Sequence, residues 1–243
     1  GTYQPSTGQA ACLDAEPGYY VSSTGQSSQA PCAVGTYQPS TGQAACLDAD
    51  AGHYVPSTGQ SSQTPCAAGT YNPDTGYSDA SACRDADAGH YVATTGQSSQ
   101  APCAAGTYQP STGQDACLDA DAGHYVPSTG QSSQTPCAAG TYQPTTGQAS
   151  CLDADAGQYV PTTALHYQVA CSPGTYQPST GQASCLDVDA GHYTDSYAQT
   201  SQTACAAGTY NPDTGSSDAS ACLDADAGHY VPSTGQSSQT PCA

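Results

Sequence analysis

The sequence predicts an all-β and irregular fold: an elongated, solenoid-like array of short hairpins stapled by disulfides, with little or no helix. Three observations carry this. There are 14 cysteines in 243 residues, one phrase of about 17 residues recurs from end to end, and Ile, Met, Phe and Trp are all absent. The nominal 36% hydrophobic content is mostly Ala, Tyr and Cys. No single globular core can be built from that, so burial must be shared among small repeated pieces.

The cysteines fall at 12, 32, 46, 66, 83, 103, 117, 137, 151, 171, 185, 205, 222 and 242, so gaps of 20 alternate with gaps of 14, or of 17 in two places. This gives about seven tandem repeats of 34 or 37 residues across residues 1–243. Each repeat divides into two half-units of about 17, because the phrase GTYQPSTGQ from Gly35 and the phrase GHYVPSTGQ from Gly52 are variants of one another. The longer repeats carry three extra residues in YNPDTGYSDASAC (71–83) and YNPDTGSSDASAC (210–222). Those two copies lie 139 residues apart, three short repeats plus one long one, which points to a higher-order duplication.

Within a half-unit each stretch has a role. Gly-x-Tyr-x is a β-favouring segment, and Pro-Ser-Thr-Gly is the turn, with Pro presetting φ and Gly accepting φ > 0. Gln-x-x-Cys or its counterpart returns. Asn72-Pro73-Asp74-Thr75-Gly76 is the same turn with stronger turn chemistry. No segment has sustained helical periodicity.

Such a hairpin cannot fold alone, because one Tyr and a few Ala or Val bury too little to offset the ordering of about 17 residues. The array is therefore expected to be quasi-one-dimensional, each hairpin touching only its two neighbours, with the tyrosines as the packing residues. At roughly 10 Å per half-unit, the array would run on the order of 140 Å.

The net charge of −19 with a single basic residue, Arg84, repels phosphate backbones and anionic lipid head groups, so neither nucleic acid nor membrane contact is expected within this segment. Cysteine at this density implies an oxidising compartment, extracellular or at the cell surface. No apolar stretch is long enough to span a bilayer and the first residue is Gly1. A leader and any anchor are expected to lie outside these residues.

Cysteine spacing alone allows pairing across the 14-residue or across the 20-residue gaps. The half-unit register argues for the first. Cys32 and Cys46 flank the phrase that starts at Gly35, and the same two places around Gly52 hold Ala49 and Gln63. A small residue faces Gln wherever a bridge is missing, even in the divergent stretch 157–171. The run Cys32-Ala33-Val34-Gly35-Thr36-Tyr37 followed by Cys46 resembles the C-x-x-G-x-Y…C module of tumour-necrosis-factor-receptor-type and ephrin-receptor-like cysteine-rich repeats. In those families the two cysteines of the module are bonded. The resemblance thus implies Cys32–Cys46, Cys66–Cys83, Cys103–Cys117, Cys137–Cys151, Cys171–Cys185 and Cys205–Cys222. It leaves the partners of Cys12 and Cys242 to lie beyond the two ends. The sequence departs from the usual C-x-x-C junctions, which leaves alternate hairpins without a bridge. Long arrays of such modules occur in surface and flagellar-hair (mastigoneme-like) proteins of algae and protists, which implies a fibre.

Asp48 and Asp50, two residues apart before a glycine, are weak calcium candidates that lack the third acidic position and closing Glu of an EF-hand. The better reading is solvated turn carboxylates, with no cofactor and no defined metal site. His53, His90, His124, His192 and His229 recur beside Tyr, but equivalent places hold Tyr19 and Gln158, which favours exposed surface over a metal stripe. The composition of PSTGQSSQTP resembles O-glycosylated stalks, and the only asparagines, Asn72 and Asn211, precede Pro. The O-glycan candidates are Ser40, Thr41, Ser57, Thr58, Ser111, Thr112, Ser128, Thr129, Ser179, Thr180, Ser233 and Thr234. No catalytic constellation is visible, since near-identical units do not readily build one asymmetric pocket. The sequence therefore points to a structural fibre or stalk subunit that is O-glycosylated, self-associating and not an enzyme. The alternative is a spacer in a receptor or adhesin ectodomain.

Overall fold

The computed structural model describes all 243 residues. They form two compact units, one comprising Gly1–Leu118 with Ser128–Ser133 and the other Asp119–Pro127 with Gln134–Ala243. Both are built from the same piece. There are 28 strands of two residues each, paired in twos, and no α-helix. Each hairpin is identified below by the glycine that opens it.

In the Gly35 hairpin, Thr36–Tyr37 pairs antiparallel with Leu47–Asp48, with Tyr37 opposite Leu47. In the Gly52 hairpin, His53–Tyr54 pairs with Thr64–Pro65 in the same register. Strands this short cannot hold a sheet together, so loops and turns carry the structure. Successive hairpins are joined by a tight turn in which Thr36 N–H donates to Ala33 O at 3.1 Å and Gly35 has φ +81°. That value at the third turn position suits glycine. The turn at the tip holds Gly42 at φ +70°, as the Pro-Ser-Thr-Gly reading requires.

Little or no helix was expected, and the exceptions are two three-residue 3-10 turns, Ala80–Ala82 and Ala219–Ala221. They lie in the two 37-residue repeats and absorb the extra residues. Asp79 and Asp218 cap them, each accepting a hydrogen bond at 2.7 Å from the backbone N–H of Ser81 and Ser220 respectively.

The hairpins stack chiefly through their main chains. Gly35 N–H donates to Val55 O at 2.9 Å and Gln38 N–H to Gln60 O at 3.1 Å, which joins the Gly35 hairpin to the next. Gly59 N–H, in the tip turn of the Gly52 hairpin, donates to Cys32 O at 2.8 Å, and Cys32 N–H closes the Gly18 hairpin by donating to Gly18 O at 2.8 Å. The bond from Gly59 to Cys32 joins a hairpin to the next but one. The nearest-neighbour picture is thereby corrected: within each unit hairpins also form two interleaved columns, in which a tip turn lies on the opening glycine two hairpins back.

The closeness of that contact explains the glycines. A Cβ on Gly18 would sit 2.2 Å from Gly59 O, and one on Gly52 would sit 2.2 Å from Gly96 O. No real Cβ can occupy such a place.

The core is also different from the one the sequence suggests. Tyr37 and Tyr54 are only half-buried. The fully buried side chains are small and occupy two positions, three residues before each opening glycine and three after it. The first holds Cys32, Ala49, Cys66, Ala86 and Cys103 in turn, and the second holds Val55, Val126 and Val160 in alternate hairpins. Between them, Gln38, Gln109, Gln143 and Gln177 are buried at 4% exposure. Burying an amide is tolerable because it is bonded: Gln38 Nε2 donates to Ala45 O at 2.8 Å, and its Oε1 accepts from Ser40 N–H at 3.1 Å.

Candidate functional site

Two features recur often enough to define what the molecule can do: the staple at the base of each hairpin and the surface presented by the tip turns. The structure joins the sequence-singled cysteines as Cys32–Cys46, Cys66–Cys83, Cys103–Cys117, Cys137–Cys151, Cys171–Cys185 and Cys205–Cys222. Cys12 and Cys242 are exposed thiols. Each bridge does more than flank one hairpin. Cys32 closes the Gly18 hairpin through its backbone, while its sulfur is bonded to Cys46 in the Gly35 hairpin. The bridge therefore locks successive hairpins to each other. In a chain-entropy model, closing a loop of about 15 residues contributes about 3 kcal/mol.

The unbridged hairpins have a staple of their own. Gln63 Oε1 accepts from Asp50 N–H at 2.7 Å, and Gln63 Nε2 donates to Asp50 Oδ2 at 2.6 Å. Equivalent clamps join Gln100 to Asp87, Gln134 to Asp121, Gln168 to Asp155, Gln202 to Asp189 and Gln239 to Asp226. Glu16 serves Gln29 in the same way at 2.7 and 3.2 Å. Bridge and clamp thus alternate. The bridged hairpins have Ala33, Ala67, Ala104, Ala138, Ser172 and Ala206 at the place where the clamped ones have the acid.

This arrangement gives Asp50 a structural task that sequence reasoning did not find. It binds Gln63, and it also lies 3.5 Å from the Tyr37 hydroxyl of the preceding hairpin. Partial burial, and then the Asp50 carboxylate, push the Tyr37 phenol above its ordinary range. Asp48 instead pairs across the hairpin with Thr36 and lies beside Gly76, in the tip turn of the next hairpin but one. Nowhere do three or more His, Cys, Asp or Glu side chains gather as a metal-binding group.

The histidines are less exposed than expected. His53, His90, His124 and His192 are half-buried, and only His229, at the last hairpin, is exposed. The reason is the column packing, which lays a tip turn over the ring: Gly96 approaches His53, and Gly235 approaches His192.

The turn surface is polar and open. All twelve hydroxyl residues singled out for O-linked sugar, from Ser40 and Thr41 to Ser233 and Thr234, are exposed. A sparse row of half-exposed leucines recurs with the repeat, Leu13, Leu47 and Leu118 in one unit and Leu152, Leu186 and Leu223 in the other. Arg84 takes the place of a leucine in this row and meets Asp74 at 3.2 Å. That pair is exposed and contributes little.

No family model matches the chain, and no curated protein matches it significantly. No helix is long and apolar enough to cross a membrane. The cysteine-rich tandem character rests on the repeated hairpins and their six bridges, and that many bridges fits an oxidising compartment.

Proposed function

We propose that this chain is a structural segment of an extracellular fibre or stalk, O-glycosylated on its tip turns. The observation that carries the reading is the seam between hairpins. It is made by main-chain donors and acceptors and by glycines, so any copy of the phrase can follow any other, and an array can lengthen without a new contact being devised. Near-identical units suit a scaffold, because modules that each recognise a ligand diverge at their contact surfaces. Alternating covalent and hydrogen-bonded staples suit a load-bearing element in an oxidising medium. The exposed Ser and Thr of the tip turns offer attachment points clear of the seam, and the net charge of −19 keeps the segment soluble and disfavours anionic partners. The likeness to receptor-type cysteine-rich modules, and through them to flagellar-hair proteins, belongs to this proposal.

Intact-mass measurement of native material, followed by mapping of the modified residues, is the test. A mass in excess of the polypeptide by sugar increments placed on tip-turn residues such as Ser40, Thr41, Ser57 and Thr58 is expected. A mass equal to the bare polypeptide with its disulfides would remove the glycosylated reading.

A further inference from the structure

Where copies are nearly identical, departures from the phrase are informative, and several of them meet at one place. The Gly157 and Gly191 hairpins are successive members of one column and have lost the common tip turn. Pro161-Thr162-Thr163-Ala164-Leu165-His166-Tyr167 and Asp195-Ser196-Tyr197-Ala198 stand where Pro-Ser-Thr-Gly-Gln-Ser-Ser or Pro-Ser-Thr-Gly is usual. Both put alanine at the left-handed tip position, Ala164 at φ +62° and Ala198 at φ +58°. Each alanine costs about 1–2 kcal/mol that glycine would not. Both turns also gain exposed aromatic surface, with Tyr167 50% and Tyr197 68% exposed.

Column packing then brings the new side chains over the hairpin below. The carbonyl of Ala198 lies against Gly157, where a Cβ would be 2.2 Å from it. Tyr197 and Tyr159 together line a cleft of about 440 Å³, also bounded by Val169, Ser172, Thr175 and Ser184. Equivalent clefts open one repeat earlier at Tyr125 and one repeat later at Tyr193, at about 350 and 290 Å³. Neither has a second aromatic side chain, and each has alanine, Ala138 or Ala206, where this one has Ser172. Tyr197, Ser172 and Val169 are thus three departures from the repeat that converge on a single cleft.

We propose that this cleft binds a neutral oligosaccharide. Two tyrosines offer apolar faces for the C–H surface of a sugar ring, and their hydroxyls, with those of Ser172, Thr175 and Ser184, supply donors and acceptors for ring hydroxyls. No Asp, Glu, Lys, Arg or His lines the cleft. An acidic chain repels an anionic ligand, and the lining has no carboxylate to pair with a cationic one. The volume falls in the range of about 300–1,000 Å³ usual for small-ligand sites.

The test uses the full chain, produced without sugars and with its bridges formed, titrated with neutral oligosaccharides of glucose, N-acetylglucosamine, mannose and arabinose and with anionic oligogalacturonate. Saturable binding of at least one neutral series is expected, with chemical-shift changes at Tyr159 and Tyr197 and none with oligogalacturonate. Tyr197→Thr restores the residue found in the common turn and leaves an exposed position intact. It is expected to weaken binding about tenfold, equivalent to about 1.4 kcal/mol, while Tyr197→Phe retains most of the affinity. Repeating the titration with native, sugar-bearing chain separates two sources of ligand. Unchanged affinity marks a glycan on another molecule, and weakened affinity marks the chain's own sugar competing for the cleft. Absence of binding by every neutral series at millimolar concentration, or an affinity untouched by Tyr197→Thr, overturns the proposal.

Discussion

Replacing one opening glycine with alanine separates two reasons for its presence, conformation and contact. Gly52 has φ +84° and Gly59 has φ +71°, so alanine meets a left-handed backbone at either place. That penalty is about 1–2 kcal/mol. The tip position evidently tolerates it, because Ala164 and Ala198 occupy it in this chain. At Gly59 the nearest atoms to a new Cβ are 3.7 Å away, an ordinary contact. At Gly52 the new Cβ would be 2.2 Å from Gly96 O, about 1 Å inside normal contact. Relief requires the tip turn above to lift, which breaks the 2.9 Å bond from Gly96 N–H to Cys66 O and strains that from Gly52 N–H to Asn72 O at 2.7 Å. Two such bonds contribute about 1 kcal/mol each. Gly59→Ala should therefore cost about 1–2 kcal/mol, and Gly52→Ala about 3–4 kcal/mol. Chemical denaturation of both variants beside the parent chain, with amide exchange to locate the damage, measures the difference. Equal costs at the two positions would refute the column contact.

Three further outcomes follow from the staples and caps. Ala49→Cys with Gln63→Cys places thiols at the clamped equivalents of Cys32 and Cys46, and a seventh bridge should form, adding up to about 3 kcal/mol; thiol titration and non-reducing peptide mapping check it. Asp218 is held below the usual carboxylate range by its bond from Ser220 N–H, so its cap contributes stability above the ordinary Asp range and loses it as pH falls through the folded value. An NMR titration of that carboxyl should show the lowered midpoint, and Asp218→Asn should shift the protection of Ala219–Ala221 without affecting distant hairpins. Tyr37 runs the opposite way: with its folded value raised, its contribution is complete below the ordinary tyrosine range and is lost as pH rises through the folded value. Spectroscopic titration should find Tyr37 ionising late, and Asp50→Asn should bring it earlier.

Much of this fold is legible in the residues because its local chemistry is strong. The tip turn announces itself in Pro-Ser-Thr-Gly, and the half-unit period can be read from Gly35, Gly52 and Gly69. What the sequence hides is whatever the main chain does. The bonds from Gly35 to Val55 and from Gly59 to Cys32 leave no side-chain signature except the glycines, and a glycine before a strand reads equally well as a simple turn residue. The column contact was therefore missed. Gln63 was visible as the residue facing Ala49, but its partner is Asp50, two residues from the opening glycine, and that carboxylate read more naturally as solvated. The tyrosines misled for a different reason. They are the largest apolar side chains in each half-unit, yet the buried positions between hairpins spaced by main-chain bonds are filled by Cys, Ala, Val and a few hydrogen-bonded polar side chains. The buried Gln38 has the same origin, since it satisfies loop amides that only the folded turn brings together.

The central claim is that main-chain bonds between hairpins, and not the two-residue strands, hold the array together. Residue-resolved hydrogen exchange on the full chain with its bridges formed tests it most directly. In each compact unit, the amides of the opening glycine, of the third residue after it and of the tip-turn position should exchange slowly. Gly35, Gln38 and Gly59 are the representative donors, to Val55, Gln60 and Cys32. Protection at these loop positions, recurring with the half-unit period, is the predicted result. Fast exchange there, with slow exchange confined to strand residues such as Tyr37 and Leu47, would mean that the hairpins are strung together without being stacked, and would contradict the account.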